Sequence, residues 1–306
     1  MRGPLDTPSH PGANPFVLAV ASGKGGTGKT LVATNLAVLE ARAGRDVVLA
    51  DCDVEAPNDA LFLPAATPAC VVVETLVAEV DPAACTGCGL CRDACAFGAV
   101  RVLGGTALVF EEMCHGCGAC VDVCPEGAMR ESLRRVGEVA TGAVAGHPGL
   151  TLASGTLDIG EVKTPTVIRS VRRAAATGAH DLAVLDAPPG VACSAVAAVN
   201  GADALLLVTE PTVFGVHDLR LGLSLGRTLG LPMAVVVNRD GTGRFDVDAL
   251  CAEWEVPIVA RIPFDRRIAE VYATGGLVAD ALPDIAALLA PIADAMRGIA
   301  QAEVAR

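Results

Sequence analysis

The chain has almost no lysine. Of 306 residues only Lys24, Lys29 and Lys163 are lysine, and arginine carries the other basic side chains. Acidic residues outnumber basic ones, 35 to 23, for a formal net charge of -12. So little positive charge argues against nucleic acid and against an anionic bilayer as partners. Aromatic residues make up only 3% of the chain, with one Trp and one Tyr. The apolar fraction of 52% therefore comes mostly from Ala, Val and Leu, which suits helices packed closely on a sheet. No uninterrupted apolar run of membrane-spanning length occurs. The opening "MRGPLDTPSHPGANP" lacks the basic-then-apolar layout of a secretory signal. Residues 1–14 read as a flexible tail, and a cytoplasmic location is expected.

Cysteine is what the chain has in excess. There are 12, and eight of them recur with strict spacing. A reducing compartment disfavours disulfides, so the spacing has to be explained by other chemistry.

Short apolar runs alternate with helical segments along most of the chain. The runs end in polar residues: Asp51 and Asp53 after "DVVLADCD", Asp186 in "HDLAVLDAPPG" and Asn238 in "PMAVVVNRD", and "ADALLLVTEP" repeats the pattern. This alternation predicts an α/β fold, a doubly wound and mostly parallel sheet with helices on both faces. Ligands bind beyond the strand C-terminal ends of such sheets, where these polar residues fall. Residues 80–130 break the rhythm. There "CTGCGLCRDAC", from Cys85, recurs as "CHGCGACVDVC", from Cys114. A small inserted domain is expected there, between two parts of the larger one at 15–79 and 131–306.

"GKGGTGKT", Gly23 to Thr30, fits G-x-x-x-x-G-K-[ST] between an expected strand and an expected helix. Gly23, Gly25, Gly26, Thr27 and Gly28 would turn backbone N–H groups inward around phosphates, with the helix N-terminus behind them. Lys29 would reach the β- and γ-phosphates, and the Thr30 hydroxyl would meet Mg²⁺. Lys24 is one lysine more than the loop needs. The form GKGGxGKT resembles the deviant Walker A motif of the MinD/ParA/nitrogenase-iron-protein class of P-loop ATPases. The resemblance implies that Lys24 crosses a dimer interface to the partner's nucleotide, as an arginine finger does. It implies that Asp53 positions or activates the attacking water and that Asp51 lies near the metal shell. It implies that Asp186 is the Walker B carboxylate for Mg²⁺, directly or through water. It places Asn238 at the adenine ring, with Pro263 and Asp265 of "IPFD" as a second base-side loop. Taken singly, such aspartates are often helix caps, and an Asn after a strand is often a turn residue.

Two copies of C-x2-C-x2-C-x3-C suit a pair of cubane clusters. Three cysteines of each run wrap one cluster and the fourth reaches the other. The sets are Cys85, Cys88 and Cys91 with Cys124, and Cys114, Cys117 and Cys120 with Cys95. Zinc sites use pairs with a longer gap. The insert resembles a bacterial two-cluster ferredoxin, an α+β domain, with one departure: Pro125 follows Cys124, but Ala96 follows Cys95. Of the remaining cysteines, Cys52, Cys70 and Cys251 read as packed fillers. Cys193, a few residues past Asp186, reads as a buried small residue, or as a thiol at the dimer interface by likeness to the nitrogenase iron protein.

The whole pattern resembles MinD-superfamily ATPases carrying an inserted two-cluster ferredoxin domain. ATP, Mg²⁺ and two [4Fe-4S] clusters are the implied cofactors, in a homodimer or a dimer with a related ATPase. The leading expectation is an ATPase that gates electron transfer to a redox partner. An Mrp-like carrier delivering clusters to apoproteins is the second. MinD-like positioning is the third, weakened by a C-terminal "LPDIAALLAPIADAMRGIAQAEVAR" without a lysine-rich polar face.

Overall fold

Strand β1 (Phe16–Ala21) lies at the centre of the sheet. Its side chains alternate between two cores: Leu18 and Val20 join one buried cluster, Ala19 and Ala21 the other. That period of two, apolar on both faces, marks a strand covered by helices on either side. The computed structural model describes residues 15–243 and 245–304. The expected tail at 1–14 lies outside them.

In chain order the elements are α1 (Lys29–Arg42), β2 (Val47–Asp51), β3 (Ala69–Val80), α2 (Leu90–Ala94), β4 (Val100–Leu103), β5 (Thr106–Val109), α3 (Ala119–Asp122), β6 (Met129–Ala143), β7 (Leu150–Leu157) and α4 (Thr164–Ala175). There follow β8 (Leu182–Asp186), α5 (Cys193–Val199), β9 (Ala204–Thr209), α6 (Val213–Leu229), β10 (Met233–Asp240), α7 (Val247–Trp254), β11 (Ile258–Pro263), α8 (Arg266–Ala273), α9 (Val278–Ala281), α10 (Pro283–Leu289) and α11 (Ile292–Val304). The nine-stranded sheet runs β11-β10-β9-β1-β8-β2-β7-β6-β3. Pairing is parallel from β11 through β7 and antiparallel from β7 to β6 and from β6 to β3.

Helices α1 and α8–α11 bury their apolar side chains in the core cluster on one face of the sheet, and α4–α7 in the cluster on the other. Helix α1 has six polar residues among its fourteen and is still buried along most of its length, from Lys29 to Val38 and again at Glu40 and Ala41. By length and composition Pro283–Glu303 could cross a membrane. In this fold Leu289, Ile292, Ala293 and Met296 are fully buried in the core on the α1 side.

Strands β3 and β6 form a long antiparallel ribbon paired from Ala69–Thr141 to Val80–Met129. Its far end carries a cysteine-rich lobe. The lobe has its own small core of Ala78, Cys91, Val100, Ala107, Cys120 and Met129. The expected division at residue 130 therefore falls inside β6, because the ribbon is continuous with both parts. The β4–β5 hairpin turns at Gly104 and Gly105, both with positive φ, as a two-residue turn of this kind requires.

The alternation of strands and helices would put a helix after Asp53, and none forms there. Residues 52–68 form turns and one 3-10 turn, Asp59–Leu61. The cause is local. The Asp51 carboxylate accepts backbone N–H bonds from Asp53, Asn58 and Asp59, at 3.2, 2.9 and 3.1 Å. That wraps the chain back on itself, and Pro57 cannot supply a helical N–H.

Helix α4 lies close against β7, and Gly155 makes this possible. A Cβ there would sit 2.4 Å from Val171 Cγ2 and 2.7 Å from Val54 Cγ1. Gly155→Val is expected to lower the unfolding free energy in urea by at least about 1–3 kcal/mol through overpacking. Wild-type stability would mean that α4 can move off the sheet at no cost.

Candidate functional site

The phosphate-type loop leaves β1 between its neighbours β8 and β9, where strand order switches direction. Open α/β sheets bind ligands at this point. Helix α1 begins at Gly28, whose φ of 98° is left-handed, and it has no side-chain cap and no acidic residue in its first turn. The positive end of a fourteen-residue helix therefore faces the loop unneutralised. A Cβ on Gly28 would lie 2.3 Å from Asn238 Nδ2. A Cβ on Gly23 would lie 2.4 Å from Asp218 Cβ. Gly25 and Gly26 are exposed, while Thr27, Lys29 and Thr30 are buried.

Carboxylates gather beside the loop at the ends of β2 and β8. Asp51 pairs in register with Asp186. Thr30 Oγ1 donates to Asp186 Oδ2 at 2.6 Å, which leaves Asp186 Oδ1 buried without a partner. Both carboxyl oxygens of the fully buried Asp59 are also without a hydrogen-bond donor. Burial, and then the charge of Asp186, push Asp51 up to about 7. Burial pushes Asp186 up to about 6 against the pull of Lys29 and Thr30. Burial, reinforced by Asp51 and Asp186, drives Asp59 well above the carboxylate range. Asp53, half-buried, is raised by burial and lowered by Lys29. Among the described residues no three His, Cys, Asp or Glu side chains converge tightly enough to grip one ion. Unpaired carboxylate oxygens beside Thr30 suit the hydration shell of Mg²⁺, which keeps several of its waters.

Lys24 is engaged within its own chain. Its ammonium donates to Glu210 Oε1 at 2.5 Å and lies 5.8 Å from the centre of the Phe214 ring. Glu210 also accepts from Arg239 at 2.9 Å. Burial opposes the charge on Glu210, but the two cations outweigh it and hold the carboxyl below its usual range.

Asn238 is buried and donates to the Thr27 carbonyl at 2.8 Å, bracing the loop from below. Pro263 ends β11, opposite Asp240. Asp265 caps α8 through the Arg267 N–H at 2.8 Å and also binds the Arg267 guanidinium. Its carboxylate is thus occupied by its own helix.

The eight regularly spaced cysteines fall into two groups around two cavities. One cavity is lined by Cys85, Cys88, Cys91 and Cys124. The other is lined by Cys95, Cys114, Cys117 and Cys120. These are the two sets that the spacing predicts. Helices α2 and α3 start at left-handed glycines, Gly89 and Gly118, in matching positions of the repeat. Gly87 and Gly116 allow close backbone approach: a Cβ would lie 2.3 Å from the Gly105 carbonyl oxygen and 2.4 Å from that of Leu76. Sulfurs accept backbone N–H bonds, Cys114 from Ala78 at 3.3 Å and Cys85 from Ala107 at 3.4 Å. N–H groups led by that of Met129 hold the Cys124 thiol below its usual range. Cys52 and Cys251 are buried fillers as expected. Cys70 and Cys193 are not: both are exposed, Cys70 on the edge strand β3 and Cys193 as the first residue of α5. An edge strand and a first helical turn each leave a side chain open to solvent.

Two participants escape sequence reasoning. Asp59 is the fourth acid of its segment, after Asp51, Asp53 and Glu55, yet it reads as a surface residue until the Asp51 turn folds it inward. Glu210 ends a strand as Asp186 does, and that shared position is the signal that could have marked it.

A glycine loop at the switch point, with a threonine bonded to a strand-terminal aspartate, defines an α/β nucleotide-binding protein of the P-loop kind. More narrowly, residues 18–278 match the CobQ/CobB/MinD/ParA nucleotide binding domain, and the chain belongs to that family. Solved structures share the fold. MinD of Pyrococcus horikoshii OT3, complexed with Mg-ADP, superposes with a TM-score of 0.57 at 22% identity, over 93% of this chain and 98% of that one. A ParA family ATPase of Chlorobium tepidum TLS gives 0.55 at 17%, over 92% and 98%. Among curated proteins, an uncharacterised protein of Methanocaldococcus jannaschii is 38% identical over 84 residues, 27% of this chain and 30% of its own length. The iron-sulfur cluster carrier protein of Bacillus subtilis (strain 168) is 58% identical over 40 residues, 13% and 11%. Each such match spans less than a third of the relative.

The buried acids predict a pH dependence. Asp59 has a folded pKa above its unfolded value, so its ionisation at higher pH costs folding free energy. Asp59→Asn is expected to raise the thermal midpoint of the nucleotide-free protein at pH 8, with the gain shrinking toward pH 4. A gain that is equal at both pH values would remove ionisation as its cause.

Proposed function

We propose that the chain hydrolyses Mg-ATP as a dimer and uses nucleotide state to gate electron transfer through two [4Fe-4S] clusters in its cysteine lobe. The observation that carries the reading is the partition of the eight regularly spaced cysteines into two four-thiol cavities on a ribbon of the ATPase-fold sheet. The donor set fits: four thiols line each cavity, and backbone N–H groups reach sulfur at Cys114 and at Cys85. Bound there, the clusters would supply one-electron chemistry. The lobe resembles a two-cluster ferredoxin domain.

At the other end, Lys29 and the N-terminus of α1 bind the phosphates, and Thr30 and Asp186 hold Mg²⁺ with Asp51 beyond its waters. Asp53 orients the attacking water. Lys24 leaves Glu210 on dimerisation and reaches the partner's nucleotide, so Glu210 is its resting place. The acceptor is a redox protein or enzyme, and a cytoplasmic location suits an oxygen-sensitive cluster. A second reading, a carrier of clusters for apoproteins, is favoured by the short match to the Bacillus subtilis carrier and by the exposure of Cys88 and Cys117.

Anaerobic purification is expected to give about eight irons and eight sulfides per chain. Tightly bound zinc, or one cluster only, would overturn the assignment. Transfer of clusters to an apoprotein, with no effect of nucleotide on their potentials, would favour the carrier.

The ATPase roles separate by substitution. Asp53→Asn is expected to bind Mg-ATP normally and to lose turnover by roughly 10²–10⁴-fold. Lys24→Ala is expected to bind nucleotide as a monomer but not to dimerise with a non-hydrolysable analogue, as sizing would reveal. Wild-type hydrolysis by Lys24→Ala would remove the trans lysine from the mechanism.

A further inference from the structure

Lys163, the one lysine outside the glycine loop, donates from its ammonium to the backbone carbonyl of Cys114 at 2.5 Å. Its neighbour Thr164, buried at the start of α4, donates to Glu55 Oε1 at 2.9 Å. Glu55 lies two residues beyond Asp53 on the turn leaving β2. The Leu157 N–H binds the Val54 carbonyl at 2.8 Å and pins the same turn to the end of β7. The connection from β7 to α4 thus touches the nucleotide-side turn with one residue and a cysteine of the lobe with the next.

This connection is braced. The Glu161 carboxylate accepts from the Val162 and Lys163 N–H groups at 2.7 and 3.0 Å, and it pairs with Arg134 of β6. Arg134 also faces Glu111 and Glu112, at 3.7 and 3.9 Å, just before Cys114. Both cysteine sets accept backbone N–H bonds at sulfur, the other set at Cys85 and Cys124, and the ammonium is what separates them. Cys114 has the ammonium on its carbonyl and accepts N–H bonds at sulfur from Ala78 and Gly116. Cys85, its counterpart in the repeat, accepts one from Ala107. The other two lysines of the chain are in the glycine loop.

We infer that Lys163 couples the nucleotide site to the cluster held by Cys95, Cys114, Cys117 and Cys120, and that this cluster is the one whose potential responds to nucleotide. Nearby positive charge and N–H bonds to sulfur favour the reduced, more negative state of a cluster. Phosphates arriving at Lys29 change the field at Asp53, and any shift of the Asp53–Glu55 turn moves the anchor of Thr164 and with it Lys163. Coupling of this kind is reciprocal: reduction of that cluster changes nucleotide affinity by the same factor.

The inference rests on the two-cluster reading. Its test is a reductive titration of the anaerobic full chain followed by electron paramagnetic resonance, without nucleotide, with ADP and with a non-hydrolysable ATP analogue. In the wild type one cluster potential is expected to shift with nucleotide and the other to stay. Lys163→Met is expected to lower the responsive cluster's reduced-to-oxidised ratio about tenfold at fixed potential, about 59 mV for one electron, and to abolish the nucleotide shift. Thr164→Val, which cuts only the link to Glu55, is expected to keep the nucleotide-free potential and lose the shift. Amide exchange gives a readout independent of iron: protection of peptides covering 111–120 is expected to change with the ATP analogue in the wild type and not in either variant. Wild-type potentials and wild-type responses in Lys163→Met, with two clusters bound, overturn this coupling alone. Failure to bind clusters at all overturns the parent reading and this one together.

Discussion

A cluster of buried acids, whose charge has few cations to meet it, governs this molecule. Asp51, Asp59 and Asp186 are all buried at the C-terminal ends of β2 and β8 or just beyond, and among the described residues Lys29 is the only buried lysine or arginine. Desolvated carboxylates without matching cations are costly. Here two of them retain oxygens with no donor at all. A core selected for stability alone would replace such groups with apolar ones. Their retention makes sense if the missing positive charge arrives with a ligand. The same carboxylates also shape the chain around them: Asp51 wraps residues 53–59 into a turn, and Asp186 holds Thr30 and so fixes the first turn of α1.

The sheet places the lobe within reach of that charge. From β1 the order is β8, β2, β7, β6, β3, so the strands that carry Asp186 and Asp51 lie between the glycine loop and the ribbon. A segment that leaves the sheet must return, and two adjacent antiparallel strands do so paired to each other along their length, with one register shift at Val73/Glu74. The ribbon is therefore rigid where a pair of free linkers would be loose. The β7–α4 connection then closes a second route between lobe and sheet, through Thr164 and Lys163.

Most of the fold was legible because its signals are local. A strand, a glycine loop and a helix in sequence fix the switch point, and apolar runs of four or five residues mark β2, β8, β9 and β10 close to their observed bounds. The grouping of cysteines was legible for another reason: the doubled run resembles that of two-cluster ferredoxins, in which the fourth cysteine of each run ligates the other cluster. What could not be read depends on contacts distant in sequence. The helix expected after Asp53 gave way to a turn held by the Asp51 side chain. The antiparallel pairing of β6 with β7 has no signature in either strand. Cys193 and Cys70 looked like small apolar residues, and only their places at a helix start and a sheet edge expose them. Asn238 and Asp265 have the residue types of a base-binding loop. In this structure their polar groups are bonded to the Thr27 carbonyl and to Arg267.

The scarcity of lysine now has a physical meaning. Arginine spreads its charge over a planar fork suited to exposed carboxylates, and the surface pairs follow that pattern, as in Arg220 with Glu253 and Arg130 with Glu79. Lysine offers a compact ammonium on a flexible stem. Each of the three lysines presents a single point charge at its place. Lys29 is buried behind the loop, where only a single point charge can enter. Lys24 rests on one oxygen of Glu210 and is a third exposed along its side chain, a hold from which an ammonium can be released. Lys163 reaches a lone backbone carbonyl, that of Cys114, with a single ammonium. In this chain lysine appears at the glycine loop and at the seam between sheet and lobe, and nowhere else.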